Sequence, residues 1–147
     1  MAFKLEIVTP EARIFPVKDA DGHMDSGEVE SVVLPSSEGK IGILPNHAPL
    51  VTLLKPGLLH YVKNGRTEEF AIGKGLVEVT GSYVRILTDM AIQESGIDEA
   101  SVQAALEKAQ SRLKESADLG PEESAAVAAS IARSTAQLSL KRKRRSI

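Results

Sequence analysis

Few residues of this 147-residue sequence have the types and spacing that chemistry requires. The three histidines, His23, His47 and His60, are scattered and show no metal-ligand spacing. No cysteine is present, which excludes a disulfide scaffold, a zinc finger, an iron–sulfur site and a thiol nucleophile. The sequence also lacks the GxSxG, P-loop and GxGxxG motifs. We therefore expect no catalytic residue, no metal site and no cofactor.

Two short segments have the residue types of binding sites without their spacing. Asp19, Asp21 and Asp25 surround Gly22 as in a calcium loop, but the glycine and the acidic residues fall at the wrong offsets for an EF-hand. We interpret this segment as an acidic hairpin loop. Residues 73–75, Gly-Lys-Gly, are too few to cradle phosphates and lie between predicted strands, so we interpret them as a turn.

The composition of the chain changes near residue 96. All five aromatic residues precede residue 84, whereas Ala, Ser, Glu and Lys dominate after Gly96. Aromatic and turn residues favour short strands, and alanine with long flexible side chains favours helix. We predict a β-sandwich domain over residues 1–96 and a helical hairpin with a basic tail over residues 97–147.

Short apolar runs separated by glycine and proline predict about ten short antiparallel strands in the first domain. Asn64-Gly65 gives the strongest hairpin signal, because both central residues of a type I′ turn need positive φ. Strands at this spacing are typical of a sandwich or a flattened barrel. The predicted strands cover residues 3–7, 29–34, 41–44, 50–54, 58–62, 70–72, 76–79 and 84–87.

The second domain is predicted to contain two helices joined by a break at residues 118–120. Asp98 is suited to cap the first helix, and Pro121 is suited to begin the second. The apolar stripes of both helices are thin and lack aromatic residues, so the hairpin can bury little apolar area. We expect this hairpin to be marginally stable alone and to depend on another surface.

Charge is unevenly distributed, although the net charge of −2 is small. No acidic residue follows Glu123. The basic residues beyond it form a cationic arm, which is either a solvated tail or a segment that docks onto an acidic protein surface. Nucleic acid is a weaker partner, because aromatic stacking residues are missing from this part. The cationic arm consists of Arg133, Lys141, Arg142, Lys143, Arg144 and Arg145.

Several motifs occur in an order that resembles a known family. Residues 28–35 read EVESVVLP, residues 37–50 read SEGKIGILPNHAPL and residues 54–57 read LKPG. Together they resemble the epsilon subunit of the bacterial F-type ATP synthase, and the segment from Gly42 to Leu50 is the most specific part. The resemblance covers about residues 3–116 well. It extends to the second helix only through the position and composition of that helix.

The resemblance implies a non-catalytic subunit of the central stalk. Its sandwich would pack on the gamma subunit and rest on the membrane c ring. Its hairpin would either fold against the sandwich or extend along gamma, where the cationic arm would meet an acidic segment of the beta subunits, beside the alpha subunits, and oppose ATP hydrolysis. The sandwich contacts implied for gamma and the c ring are Glu38, Lys40, Ile41, Pro45 and His47.

The resemblance also implies a peripheral position on the cytoplasmic face of the bacterial cell membrane. The longest charge-free stretch of the alanine-rich part, residues 124–132, is far shorter than the ~20 apolar residues that span a bilayer. We therefore expect no transmembrane helix. The first residues lead directly into strand-like alternation, so we expect no signal peptide.

The sequence departs from the family pattern in three places. Residues 16–26 are longer than the usual connection, and we interpret them as an exposed hairpin extension. Lys40 stands where an acidic or polar residue is common. Some bacterial members bind ATP through a motif that Ile97 and Asp98 partly retain, but Ser101 replaces the arginine of that motif. Because the triphosphate loses a cation there, we expect no ATP binding.

A second hypothesis remains open at this point. The chain could be a free-standing ligand-binding β-sandwich whose helical tail acts as a regulatory lid. The stalk hypothesis predicts exposed apolar surface on the sandwich, which gamma and the c ring would cover. The ligand hypothesis predicts an enclosed pocket instead.

Overall fold

The structure is a computed structural model that describes residues 2–115 and 119–145. A sheet of short strands is followed by a 3-10 turn, Glu94–Gly96, and by two helices, as the sequence predicts. The helices are α1 (Glu99–Glu115) and α2 (Pro121–Arg145). The strands are β1 (Phe3–Val8), β2 (Arg13–Phe15), β3 (Glu28–Val29), β4 (Ser31–Ser36), β5 (Gly39–Ile43), β6 (Leu50–Leu54), β7 (Gly57–Lys63), β8 (Arg66–Ile72), β9 (Gly75–Val79), β10 (Tyr83–Thr88) and β11 (Ala91–Gln93).

The strands follow the spatial order β11-β8-β7-β4-β6-β9-β10-β1-β2, with β3 paired to β1 and β5 paired to β4. One pairing differs from the predicted antiparallel arrangement: β1 runs parallel to β10, with Leu5 opposite Val84 and Ile7 opposite Ile86. The two strands are far apart in the sequence, so no hairpin imposes an antiparallel direction on them.

The core of the sandwich is built from the alternate side chains of each strand. On β1, Phe3, Leu5 and Ile7 are buried, while Lys4 between them is exposed. Such alternation is the period of two that a half-buried strand requires. An aromatic group closes the core near β2, where the ring centroid of Tyr61 lies 4.8 Å from that of Phe15 and 6.1 Å from that of Phe70.

Local turn and capping signals of the sequence are confirmed. Asn64 and Gly65 have φ values of 50° and 72° and connect β7 to β8, where Lys63 pairs with Arg66. These are the positive φ values that a two-residue type I′ turn needs. Helix α2 begins at Pro121, as predicted. Part of the predicted break, residues 116–118, lies outside the described residues.

The helical hairpin rests on the sandwich through α2. No residue of α1 is buried, whereas α2 buries Val127, Ser134, Ala136, Leu138 and Leu140. Helix α2 packs against β7, β8 and the 3-10 turn. An apolar cluster joins the two parts of the chain; its buried members are Ala71, Ile97, Ala136 and Leu140.

Neither described helix combines the length and the apolar character that crossing a bilayer requires.

Candidate functional site

The residues that resembled catalytic or metal-binding groups serve the turns of the sandwich. Within residues 2–115 and 119–145, no three His, Cys, Asp or Glu side chains are placed to hold a metal ion. Asp19 Oδ1 accepts hydrogen bonds from the backbone N–H of Asp21, at 3.0 Å, and of His23, at 2.8 Å. Lys18 forms a β-bridge with Met24 across this loop, and Gly22 has a φ of 84°. The acidic segment is therefore a hairpin loop, as predicted.

The outer face of the sheet carries a row of exposed apolar side chains. Leu53 lies opposite Leu76, and Leu76 lies opposite Leu87, on the neighbouring strands β6, β9 and β10. Their exposed fractions are 60%, 38% and 45%, and Val51 on the same face of β6 is 65% exposed. We call Val51, Leu53, Leu76 and Leu87 the apolar row.

The apolar row exists because β6 places its threonine toward the core. Thr52 lies opposite the fully buried Val77, so the residues on either side of it, Val51 and Leu53, face outward. The stalk hypothesis predicts exposed apolar surface on the sandwich, but the sequence did not indicate these residues, since alternation alone does not say which face of a strand is buried. The one available signal was a polar residue between two apolar ones.

A groove of about 640 Å³ lies beside the apolar row. Leu53 and Leu87 line it together with Pro10, Lys74 and Asp89. Contiguous apolar surface of this kind marks an interaction site on a soluble domain. The sandwich therefore presents a surface suited to a protein partner.

The five sandwich residues implied for gamma and the c ring do not form one cluster. Glu38 and Lys40 are exposed at the tip of the β4–β5 hairpin, while Pro45 and His47 follow the opposite end of β5. Five strand residues separate these ends by roughly 16 Å. Ile41 lies between them on β5 and packs against the core.

The hairpin tip with Glu38 and Lys40 adjoins the apolar row. Ser36 Oγ donates to the carbonyl oxygen of Gly39 at 2.6 Å and accepts from the N–H of Glu38 at 3.1 Å, which fixes the turn. The N–H of Ser37 donates to the carbonyl oxygen of Leu53 at 3.0 Å. The tip and the apolar row thus belong to one end of the sandwich.

The cationic arm lies along an acidic surface of the same chain. Arg133 Nη1 is 3.1 Å from Asp89 Oδ2, and Lys141 Nζ is 2.8 Å from Glu94 Oε1. Lys143 forms an ion pair with Glu69 on β8. We call Glu69, Asp89 and Glu94 the acidic strip. In this conformation, Arg133, Lys141 and Lys143 are docked on the sandwich and are not part of a solvated tail.

The rest of the cationic arm makes contacts within the hairpin or lies outside the description. Arg142 Nη2 donates to Gln103 Oε1 at 3.0 Å, and Arg142 Nε lies 3.6 Å from Glu99 Oε1 on α1. The side chains of Arg144 and Arg145 are outside the described part of the chain. Arg142 therefore ties α2 to α1, while the other described cations tie α2 to the sandwich.

The residues that partly retain the ATP motif have structural roles. Ile97 is buried in the cluster between the sandwich and α2. Asp98 caps α1: its Oδ2 accepts from the hydroxyl of Ser101 at 2.9 Å and its Oδ1 accepts from the N–H of Ser101 at 3.4 Å. The hydrogen bond from the Ser101 hydroxyl, with that from its backbone N–H, lowers the pKa of Asp98 below its usual value.

An open cleft of about 830 Å³ lies between the loop after β2 and the strands β7, β8 and β11. Among the charged residues that line it, Lys63 pairs with Asp25 and lies 5.6 Å from the ring centroid of Phe15. The hydrogen bond from Lys63, with one from the N–H of Gly27, lowers the pKa of Asp25. Burial, assisted by nearby carboxylates, raises the pKa of Tyr61 to about 12.

Comparison with known proteins agrees with this geometry. Residues 2–94 match the family model described as the beta-sandwich domain of the ATP synthase delta/epsilon chain. The chain belongs to this family. The resemblance to the epsilon subunit that the sequence motifs carry is thereby confirmed, and the matched residues coincide with the sandwich.

Three bacterial ATP synthase epsilon chains are among the curated relatives of this chain. It is 42% identical over 115 residues to the ATP synthase epsilon chain of Herpetosiphon aurantiacus, covering 78% of this chain and 77% of the relative. It is 44% identical over 110 residues to that of Carboxydothermus hydrogenoformans, covering 75% of each. Identity to the epsilon chain of Wolinella succinogenes is 41% over 116 residues, with coverage of 78% and 81%.

Two cryo-EM structures share the fold at low sequence identity. A chain of the Euglena gracilis mitochondrial ATP synthase, resolved with its OSCP, F1 and c-ring, matches with a TM-score of 0.72 and 20% identity over 94% of this chain and 79% of that one. A chain of the Tetrahymena thermophila mitochondrial ATP synthase central stalk and c-ring matches with a TM-score of 0.56 and 11% identity, over 96% and 97%. These likenesses support the fold of the epsilon-type chain, including its helices.

Proposed function

We propose that this chain is a non-catalytic subunit in the central stalk of a rotary F-type ATP synthase. Residues 1–96 act as a platform that couples the gamma subunit to the c ring, and residues 97–147 act as a hairpin that inhibits ATP hydrolysis. The complex holds the chain peripherally on the cytoplasmic face of the bacterial membrane. The exposed apolar row is the observation that carries this proposal.

The apolar row supports a large protein partner. Leu53, Leu76 and Leu87 lie on three adjacent strands and are each more than one third exposed. Covering them removes apolar area from water, at about 25 cal/mol per Å². The gamma subunit is the partner assigned to this face, and the adjoining tip with Glu38 and Lys40 is assigned to the region where gamma meets the c ring.

The cationic arm supports an inhibitory role for the hairpin. Helix α2 contacts the sandwich through a narrow set of buried residues and through ion pairs with Asp89, Glu94 and Glu69. Partly exposed ion pairs each contribute only ~0–1 kcal/mol, so an acidic surface elsewhere can compete for the same cations. The beta subunits, flanked by the alpha subunits, supply that surface in the extended state.

The alternative of a ligand-binding sandwich with a helical lid has less support. The cleft of about 830 Å³ is open, and α2 covers β7 and β8 on a different set of residues from those that line the apolar row. Lys63 and Asp25, two of the four charged residues that line the cleft, neutralise each other.

Co-purification of matched variants tests the proposed function. Leu53→Glu with Leu87→Glu places two charges in the apolar row, while Val17→Glu with Met24→Glu places two charges at apolar side chains that are 52% and 53% exposed on the 16–26 loop. We expect tagged wild-type chain and the loop variant to recover the gamma, alpha and beta subunits from detergent-solubilised membranes. The variant in the apolar row should lose them while its circular dichroism stays native. Equal recovery by both variants would contradict the proposal.

A further inference from the structure

A polar seam runs along one edge of α2 where the helix meets the sandwich. Arg133, Gln137 and Lys141 are spaced four residues apart, so they lie on one face of the helix. Arg133 contacts Asp89, Gln137 Nε2 lies 3.1 Å from Met90 Sδ, and Lys141 contacts Glu94.

The two sides of this polar seam run in the same order. The helix rises about 12 Å from residue 133 to residue 141. Its partners run from the turn before β11 to the 3-10 turn after it, in the same order as the helical residues. The seam is therefore a contact of defined register and not a chance meeting of charges.

The turn that holds Asp89 is fixed by hydrogen bonds to residues 73 and 74. The N–H of Asp89 donates to the carbonyl oxygen of Lys74 at 3.1 Å, and the N–H of Gly73 donates to the carbonyl oxygen of Met90 at 2.9 Å. The buried hydroxyl of Thr88 lies 3.0 Å from the carbonyl oxygen of Lys74. The backbone that carries Asp89 is thus held by contacts within the sandwich, independently of α2.

Gly73 provides the space that the Asp89 carboxylate occupies. A Cβ on residue 73 would lie 1.8 Å from Asp89 Oδ1 and 3.0 Å from its Cγ. Asp89 Oδ1 is buried, and among the described residues none donates to it. Asp89 Oδ2 is the oxygen that accepts from Arg133. Any side chain at residue 73 must displace the carboxylate from this position.

We propose that Gly73 is a positioning residue: it leaves the space that the Asp89 carboxylate occupies, and it thereby sets how firmly α2 is held on its docking surface of Asp89, Met90 and Glu94. The occupant of this surface is the segment from Arg133 to Lys141 of the same chain. The docked state depends on where the Asp89 carboxylate lies as well as on its charge. This inference extends the inhibitory hairpin of the proposed function, but the docking itself is a property of the isolated chain.

The docking surface and the extended state compete for the same cations. Arg133 and Lys141 pair with the sandwich in the described conformation, so they cannot pair with an acidic partner at the same time. A change that displaces Asp89 therefore frees these two cations. The position of the Asp89 carboxylate therefore sets how readily the cationic arm can pair with an acidic partner.

Distance measurements on the full-length chain test the docking surface. The sequence contains no cysteine, so Ser37→Cys and Ser139→Cys, both at exposed positions, give two unique spin-label sites. We expect one compact distance distribution in the doubly labelled parent at low salt. Gly73→Ala should raise the ratio of released to docked hairpin by up to about fivefold, as expected from the loss of one partly exposed ion pair. Asp89→Asn and Arg133→Gln should act in the same direction.

Three matched controls test whether the effect depends on where the substitution lies and not only on the type of residue that is changed. Gly81→Ala adds the same methyl group at a glycine where no atom lies within 4 Å of the new Cβ. Asp21→Asn removes one carboxylate from the exposed 16–26 loop, and Lys114→Gln removes one cation from the exposed face of α1. All three should keep the parent distribution.

The outcomes distinguish the docking surface from the proposed function. A parent-like distribution in Gly73→Ala, with the sandwich amides still protected from hydrogen exchange, would overturn the positioning role. If Gly73→Ala disrupts the sandwich, the Arg133→Gln variant provides the test. A parent-like distance distribution in Arg133→Gln would overturn the docking surface. Because no other subunit is present, these results do not depend on whether the hairpin inhibits hydrolysis.

Discussion

The hydroxyl of Ser101 donates to the carboxylate of Asp98 at 2.9 Å, at the position where the ATP-binding motif of some relatives carries arginine. The same serine also gives its backbone N–H to Asp98. Asp98 and Ser101 here form an N-cap that is closed within one helical turn. This substitution removes a cation and adds a local hydrogen bond.

The first prediction concerns the pH dependence of this cap. The pKa of Asp98 is lowered in the folded chain, so its contribution to stability is complete above the ordinary value of 3.8 and is lost as the pH falls through the lower folded value. We expect hydrogen exchange in the first turn of α1 to accelerate below about pH 4 relative to the rest of the helix. Asp98→Asn should remove this pH dependence. Equal acceleration in both proteins would contradict the prediction.

The second prediction concerns nucleotide binding. Because Ser101 supplies no positive charge for a triphosphate, we expect no heat of ATP binding in calorimetry with the isolated chain at millimolar nucleotide. Ser101→Ala, which keeps the charge of the wild type, serves as the control and should also give no signal. A saturable heat with the wild type would refute this expectation.

The third prediction concerns the contact between hairpin and sandwich. Leu140 is fully buried between α2 and the sandwich, whereas Leu113 on α1 is 43% exposed. We expect Leu140→Ala to destabilise the docked hairpin by about 2–5 kcal/mol, the range for truncating a buried leucine. Leu113→Ala should change it by less than about 0.5 kcal/mol. Hydrogen exchange of the α2 amides measures the change in stability of the docked hairpin in both variants. Similar changes in Leu140→Ala and Leu113→Ala would contradict the contact between α2 and the sandwich.

Much of this fold could be predicted because its signals are local. The Asn64-Gly65 turn, the Asp98 cap and the start of α2 at Pro121 each depend on residues within a few positions of one another. Local capping and turn chemistry is readable from sequence without knowledge of the tertiary fold.

The surfaces that carry the proposed function could not be predicted in the same way. The apolar row depends on which face of β6 is buried, and β6 takes its register from β9, more than 20 residues away. The acidic strip brings together Glu69, Asp89 and Glu94 from separate elements. Both features come from long-range pairing, which composition and spacing do not encode locally.

The fourth prediction concerns the tip of the β4–β5 hairpin. Lys40 is exposed there beside the apolar row, so reversing its charge leaves the core untouched. We expect Lys40→Glu to alter assembly or proton pumping in the reconstituted synthase while the isolated chain keeps its unfolding midpoint. Lys18→Glu, at an exposed residue of the 16–26 loop, is the control and should leave both unchanged. Normal pumping and assembly with Lys40→Glu would remove this tip from the proposed interface.

The fifth prediction concerns inhibition by the hairpin. We expect deletion of residues 121–147 to raise ATP hydrolysis by the assembled complex while the sandwich stays folded and synthesis is largely retained. Neutralising residues 141–145 should have a smaller effect in the same direction, because Lys141 and Lys143 also pair with the sandwich in the docked state. The effect of neutralisation should weaken with added salt.

A steady-state hydrolysis assay at low salt measures this fifth prediction. Hydrolysis rates that are equal with and without residues 121–147 would show that the hairpin does not inhibit. If the deletion abolishes ATP synthesis as well as inhibition, the complex has failed to assemble. Recovery of the gamma subunit with the truncated chain distinguishes a failure of assembly from a loss of inhibition.

The parallel pairing of β1 with β10 has a consequence for how the chain matures on the ribosome. β1 emerges first, but its partner β10 follows roughly 75 residues later. At translation rates of about 5–20 residues per second, β1 therefore waits about 4–15 seconds for that partner. During this time β2 can cover only one of its edges, and the other edge, with Leu5 and Ile7 on it, is open to pairing with other chains. The sheet can therefore close along this edge of β1 only after β10 has left the exit tunnel.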